Sequence, residues 1–142
     1  MKTEKFVIAV LVSHHFGVLT RVAGLFARRG FNIDSLTVGE TENPAVSRMT
    51  IAVTGDDYVR EQMVKQLEKL HDVKKISMME PDDTVTRELV LLKVKSDDAN
   101  RAAVIEAANV YRAKVVDLSP ESISIEITGE QTKLDGFIKY MR

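Results

Sequence analysis

Cysteine and tryptophan are absent from this 142-residue sequence, and aromatic residues make up only 6% of it. Without cysteine the chain can form no disulfide, thiolate metal site or cysteine nucleophile, which is compatible with a reducing compartment. With so few aromatic rings, little is left for stacking on nucleic-acid bases. A surplus of basic charge is also lacking: up to Glu80 there are eleven Lys and Arg against ten Asp and Glu, and nine against eleven beyond it. We therefore expect no nucleic-acid partner.

Long hydrophobic runs are missing as well. The apolar run near the start, Phe6 to Val12, has only seven residues, too few to span a membrane, and no cleavage site of small residues follows it. With 44% hydrophobic and 29% charged residues, the composition is that of a soluble globular protein. We expect a cytoplasmic chain with no targeting segment and no membrane partner.

The most informative stretch runs from Phe6 to Val38. It predicts an apolar strand, a polar turn at residues 13–17, an amphipathic helix over residues 18–29, and a second strand after Asn32. Gly17 stands where the strand gives way to the helix, so the free amides of the first helical turn would face the space beside it. Such a place attracts a carboxylate or phosphate. The alternative is that the glycine only permits a tight turn.

The rest of the first half completes a βαββαβ unit of ferredoxin-like type, with a half-buried strand around Met49 to Val53, a helix opened by Asp56-Asp57, and a strand from Val73 to Met78. The first strand is apolar at every position. This pattern predicts cover on both of its faces, one of them from a partner subunit or the other half of the chain.

The same order of strands and helices begins again after a polar, proline-bearing linker. The predicted division is a first domain over residues 1–79, the linker over residues 80–86 and a second domain over residues 87–142. Strands are expected at residues 88–94, 115–118 and 123–127, a helix capped by Asp97-Asp98 and running to about Tyr111, and a closing helix over residues 134–141. No strand follows that helix. The predicted fold is α+β, with two ferredoxin-like units of which the second lacks its last strand, and we expect the chain to be cut from a longer one.

Few residues suggest catalysis. His14-His15 could bind a metal ion, but adjacent side chains of an extended strand point to opposite sides and the only other histidine is His71. A histidine that contacts a ligand, or one that is simply exposed in the turn, is the simpler interpretation. The two aspartate pairs each open a helix, where capping accounts for them. No phosphate-binding loop, nucleophile elbow or zinc motif is present. The amide-lined turn beside Asn32, whose side chain can accept from an ammonium group, instead fits a free amino acid.

The run of residues 17–38, GVLTRVAGLFARRGFNIDSLTV, resembles the signature of ACT domains, and more narrowly that of the small regulatory subunits of acetolactate synthase (acetohydroxyacid synthase). The similarity continues at residues 47–50 and 66–73, and more weakly at residues 87–89 and 133–137. It thus extends over nearly the whole chain.

The resemblance implies a protein without a catalytic site that binds a large catalytic subunit, raises its activity and makes it sensitive to valine or another branched-chain amino acid. Thiamine diphosphate, Mg and FAD would belong to that large subunit, and this chain would bind no cofactor or metal. ACT domains pair edge to edge, so a homodimer is implied, with the effector between a turn of one subunit and the second strand of the other. The implied effector-binding residues are His14, His15, Phe16, Gly17, Val18, Leu19, Asn32 and Ile33.

One departure lies at this site, because His14 stands where the family usually has asparagine. Two other functions on the same plan are a stand-alone ACT sensor for another enzyme and an acylphosphatase-like hydrolase, in which Arg21 would have to serve the reaction. A pair of RNA-recognition sheets is disfavoured by the charge and by the few aromatic residues.

Overall fold

The computed structural model describes residues 3–142, which form two compact units. Unit 1 comprises the described residues up to Thr84, and unit 2 comprises Val85–Arg142. Residues 1 and 2 of the predicted first domain lie outside the described residues. A single-turn 3-10 helix, Pro81–Asp83, lies within the predicted linker.

Unit 1 is a complete βαββαβ unit with an antiparallel sheet in the order β2-β3-β1-β4. Its elements are β1 (Glu4–Ser13), α1 (Val18–Arg29), β2 (Ile33–Glu40), β3 (Val46–Gly55), α2 (Asp57–Glu68) and β4 (Val73–Met79). This confirms the predicted fold, and α1 has the predicted bounds because a glycine in the left-handed region stands at each end of it. Gly17 has φ of 89°, and Gly30 has φ of 68° and donates its N–H to the Ala27 carbonyl.

The core of unit 1 lies between one face of the sheet and the two helices. Its fully or almost fully buried side chains come from both strand and helix stripes: Ile8, Val10, Val12, Val18, Val22, Leu25, Phe26, Met49, Ile51, Val53, Met63 and Leu67. On the opposite face of β1, the small Ala9 is buried but Val7 and Leu11 are only half-buried, because both helices pack against the other side. Within unit 1, therefore, only one face of β1 is covered by helices, and no second layer of the unit meets the other.

Unit 2 has the order βαββα and a three-stranded antiparallel sheet, β5-β7-β6. Its elements are β5 (Glu88–Lys95), α3 (Arg101–Val110), β6 (Lys114–Leu118), β7 (Ser122–Gly129) and α4 (Gln131–Tyr140). Ile123, Ile125 and Ile127 of β7 are buried beneath the two helices together with Phe137. The predicted absence of a fourth strand is thus confirmed for this unit.

The two aspartate pairs behave differently. Asp56 caps α2, because its Oδ1 accepts the Val59 N–H at 2.9 Å, as predicted. The prediction for Asp97-Asp98 was wrong in position, since α3 begins only at Arg101. The Asp97 carboxylate accepts the N–H groups of Ala99 and Asn100, each at 3.0 Å, and so closes a separate turn before the helix.

The helices are short, and the longest of them have 12 residues. None of those formed by residues 3–142 has the length and apolar character needed to cross a membrane.

Candidate functional site

A cavity of about 290 Å³ lies in unit 1, at the corner where β1 ends and α1 begins. The C-terminal end of β2 and the start of β3 form its other side. Its volume is at the small end of the range for ligand pockets, which suits a molecule of amino-acid size. The lining residues are Val12, Ser13, His14, His15, Val18, Leu19, Val38, Gly39, Glu40, Ser47 and Met49.

The turn leaves amide donors beside this cavity. Gly17 occupies the N-cap position of α1 but has no side chain to cap the helix. Val18 makes only a long backbone bond, 3.5 Å to the His15 carbonyl, and no described residue accepts the backbone N–H of Leu19 or Thr20. The first turn of α1 contains no acidic residue, so these amides at the positive end of the helix dipole can donate hydrogen bonds to an anion.

His14 forms part of the polar wall of the cavity. Its backbone N–H donates to the Ala45 carbonyl at 2.8 Å, and its Nδ1 lies 2.6 Å from the Ser47 Oγ. Its Nε2 is 3.8 Å from Glu40 Oε1, at the exposed mouth. The Ser47 hydroxyl therefore holds the ring, and one carboxylate is available near it.

His15 points to a different partner, Asp72, in the loop between α2 and β4. One oxygen of the Asp72 carboxylate lies 2.8 Å from His15 Nε2. The other accepts a hydrogen bond from the Arg21 guanidinium at 2.9 Å. The Asp72 carbonyl accepts the Ser13 N–H at 2.9 Å, and the residue is only 8% exposed. Asp72 therefore connects the end of β1, the turn and the first turns of α1. It also forms an ion pair with Arg21, the residue that an acylphosphatase-like mechanism would need for its substrate.

The other predicted residues are not all at the cavity. Val18 and Leu19 line it, whereas the Phe16 side chain is fully exposed to solvent. Asn32 and Ile33 lie at the opposite end of β2 from Val38–Glu40, roughly 20 Å away for a strand of this length. A single chain thus does not bring all the predicted site residues together.

Sequence reasoning missed Glu40, Ser47 and Asp72. Ser47 pairs with Val12 on one side and with Glu40 on the other, so the strand register places it beside the turn. Asp72 is among the few buried charged residues. Its position directly before the last strand of unit 1, in a segment that resembles the family, was the only signal available.

A larger cavity, of about 470 Å³, lies in unit 2 between the end of β5, the start of α3 and the end of α4. It lies along the outer edge of β5. In unit 1 the strand in the corresponding position, β1, has β4 along that edge. The cavity of unit 2 therefore corresponds to the place of the fourth strand and not to the turn of unit 1. Among residues 3–142, no three His, Asp or Glu side chains cluster so as to hold a metal ion.

Comparisons with known proteins agree for both units. Residues 8–75 match the family model of the acetohydroxyacid synthase small subunit-like ACT domain, and residues 87–142 match that of the small subunit of acetolactate synthase. The probable acetolactate synthase small subunit of Methanothermobacter thermautotrophicus is 48% identical over 143 residues, covering 100% of this chain and 85% of that protein. The acetolactate synthase small subunit of Mycolicibacterium smegmatis is 50% identical, covering 98% of this chain and 82% of that protein.

A solved structure is similar over nearly the whole length. The crystal structure of the acetolactate synthase small subunit from Thermotoga maritima has a TM-score of 0.91 and 42% sequence identity, and the match covers 96% of this chain and 86% of that one. The family models for both halves of the sequence, the relatives and the solved structure all indicate the same family. The chain belongs to the family of acetolactate synthase small subunits and carries the ACT domain of that family in unit 1.

Proposed function

We propose that this chain is the non-catalytic, regulatory subunit of a thiamine-diphosphate-dependent acetolactate synthase in the cytoplasm. It binds the large catalytic subunit, raises its activity and confers feedback inhibition by valine or another branched-chain amino acid. Thiamine diphosphate, Mg and FAD are held by the large subunit. The observation that carries the proposal is the small cavity at the turn between β1 and α1, in a chain of this family.

The polarity of the cavity supports an amino acid as the effector. The amides around Gly17 and Val18 offer donors for its carboxylate, at the positive end of α1. Val18, Leu19 and the other aliphatic lining residues offer an apolar wall for its side chain. Glu40 at the mouth, or Asn32 of a second copy, supplies the acceptor that its ammonium group requires.

A homodimer through β2 would complete the site. β2 is an edge strand of the sheet, and on the side away from β3 it has no neighbouring strand among the described residues. Antiparallel pairing of two β2 strands about Leu36 would place Asn32-Ile33 of one copy beside Val38–Glu40 of the other. The exposed side chains of Phe16, Leu19 and Val38 lie around this corner and would lose water on pairing.

Because such an effector would touch both copies, its affinity would depend on how they are set against each other. Binding would then favour one arrangement of the dimer, with a coupling free energy of about 1–3 kcal/mol. The large subunit would sense that arrangement through its contacts with the dimer.

The decisive experiment combines titration calorimetry with subunit mixing. Valine, leucine and isoleucine are titrated into the chain, alone and with the large subunit, and heat of binding is expected for at least one of them. Leu19→Arg and Asn32→Ala should each abolish that heat, because each damages one side of the shared site, whereas Asn109→Ala in unit 2 should leave it unchanged.

An equimolar mixture of the two inactive variants should regain about a quarter of the sites, since half of the pairs are mixed and each mixed pair holds one intact site. Co-purification with the large subunit and valine-sensitive acetolactate formation test the rest of the proposal. No heat with any of the three amino acids would refute effector binding, and failure to bind the large subunit would refute the regulatory role.

A further inference from the structure

The sheet of unit 2 ends with an apolar strand that solvent can reach. All five residues of β6 are exposed, and β7 is its only neighbouring strand among the described residues. Val115 and Leu118 pair with Ile125 and Ile123, which are fully buried, yet they are themselves 40% and 56% exposed. The apolar side of the sheet thus continues from the buried strand β7 onto the edge strand β6, where solvent reaches it. Such exposure is unfavourable for an isolated unit.

The charges of β6 are self-complementary. A bulge between Val115 and Asp117 brings Lys114 opposite Glu126 and Asp117 opposite Ser124. Since both partners lie on the polar side of β7, Lys114 and Asp117 lie on that side as well. Neither has an ion-pair partner within residues 3–142.

We propose that β6 pairs antiparallel with β6 of a second copy of this chain. In the register centred between Val115 and Val116, Lys114 of each copy lies opposite Asp117 of the other, so two ion pairs form on the polar side. On the opposite side, Leu118 and Val115 of the two copies extend the apolar layer that begins at β7. Opposite charges and aliphatic pairs placed directly across two strands both stabilise the pairing.

The other free edge of unit 2 lacks this complementarity. β5 carries Lys93 and Lys95 towards its end, and its one acidic residue, Glu88, is its first. Antiparallel pairing of a regular strand with its own copy requires opposite residues on the same face. In the register about Leu91, Lys93 lies opposite Leu89 and Lys95 lies opposite Arg87. In the register about Leu92, the two lysines lie opposite Leu91 and Leu89, so neither register forms an ion pair. The arrangement of charge therefore selects β6 as the self-pairing edge.

The test uses the full chain, which has no native cysteine. Val116→Cys and the control Val85→Cys, whose native side chain is 83% exposed, are treated with a short bis-maleimide, and covalent dimer is measured on a denaturing gel. Val116→Cys should give several-fold more covalent dimer. The measurement detects contact at β6 and not total mass, so pairing through unit 1 alone does not imitate it.

Charge reversal then tests the register. Adding Lys114→Glu to Val116→Cys opposes acid to acid twice and should weaken pairing about tenfold. Adding Asp117→Lys as well restores two opposite pairs between the copies and should restore most of the yield, although residue 114 then sets an acid against Glu126 of its own chain. Equal yields for Val116→Cys and Val85→Cys, cross-linking of Val116→Cys to the large subunit instead of a second copy, or no recovery in the doubly reversed variant would overturn the proposal.

Discussion

Replacing Asp72 by alanine should loosen the corner of unit 1 that holds the cavity. The change removes two charge-assisted contacts, 2.8 Å to His15 and 2.9 Å to Arg21, while the backbone bond from Ser13 remains. The side chains of both partners are about half exposed, 52% and 54%, so water can solvate them after the change. We therefore expect a loss of about 1–2 kcal/mol in the free energy of unfolding of unit 1, which is less than a buried pair would cost.

Such a loss is measurable in a domain of this size, because 1 kcal/mol lowers Tm by about 4–8 °C for 60–100 residues. Hydrogen exchange followed by mass spectrometry can report unit 1 and unit 2 separately, so that unit 2 serves as an internal reference. Asp72→Asn keeps the shape and one acceptor and should lose roughly half as much. Asp82→Ala, at an exposed aspartate in the 3-10 turn, is the matched control. If the amides of unit 1 are as well protected from exchange in Asp72→Ala as in Asp82→Ala, the Asp72 contacts do not stabilise this corner.

Three further results are expected. Gly17→Ala should destabilise unit 1 by about 1 kcal/mol and weaken effector binding, because Gly17 has φ of 89°; Gly24→Ala, with free space around an added Cβ, should stabilise α1 by about 0.5–1 kcal/mol. His14→Asn should raise the affinity for the amino acid in calorimetry, since a smaller side chain enlarges the cavity; unchanged affinity would argue against His14 as part of the site. The hydrogen bond that Lys65 donates to the Glu61 carboxylate holds the pKa of Glu61 below its usual 4.5, and the same bond raises the pKa of Lys65 above 10.5. The pair therefore supports α2 fully between these two values, and less as the pH falls through the lowered pKa or rises through the raised one; NMR titration of Lys65→Gln should show the Glu61 pKa returning towards 4.5.

The sequence was sufficient for α1 because two glycines bound it and both must leave the right-handed region. It was insufficient for the start of α3, where Asp97 resembles a cap but uses its carboxylate within a turn. A short polar side chain can serve either purpose, and only the backbone path decides between them.

For the candidate site, the glycine between strand and helix and the family resemblance indicated the turn, and His14, His15, Val18 and Leu19 among the predicted residues line the cavity there. It could not find Glu40, Ser47 or Asp72. His14 and Ser47 are 33 positions apart and meet only through the pairing of β1 with β3. Strand register depends on the whole sheet and cannot be obtained from one stretch of residues.

Strand β2 carries a wall of the cavity at one end and Asn32 at the other. In the proposed pair, each cavity therefore draws on both polypeptides. A variant with β2 damaged at both ends, expressed beside the normal chain, would spoil both proposed binding places of every mixed pair. With equal amounts of the two chains, about a quarter of the pairs would keep intact sites, so under the proposed function one altered gene copy would remove most of the feedback control.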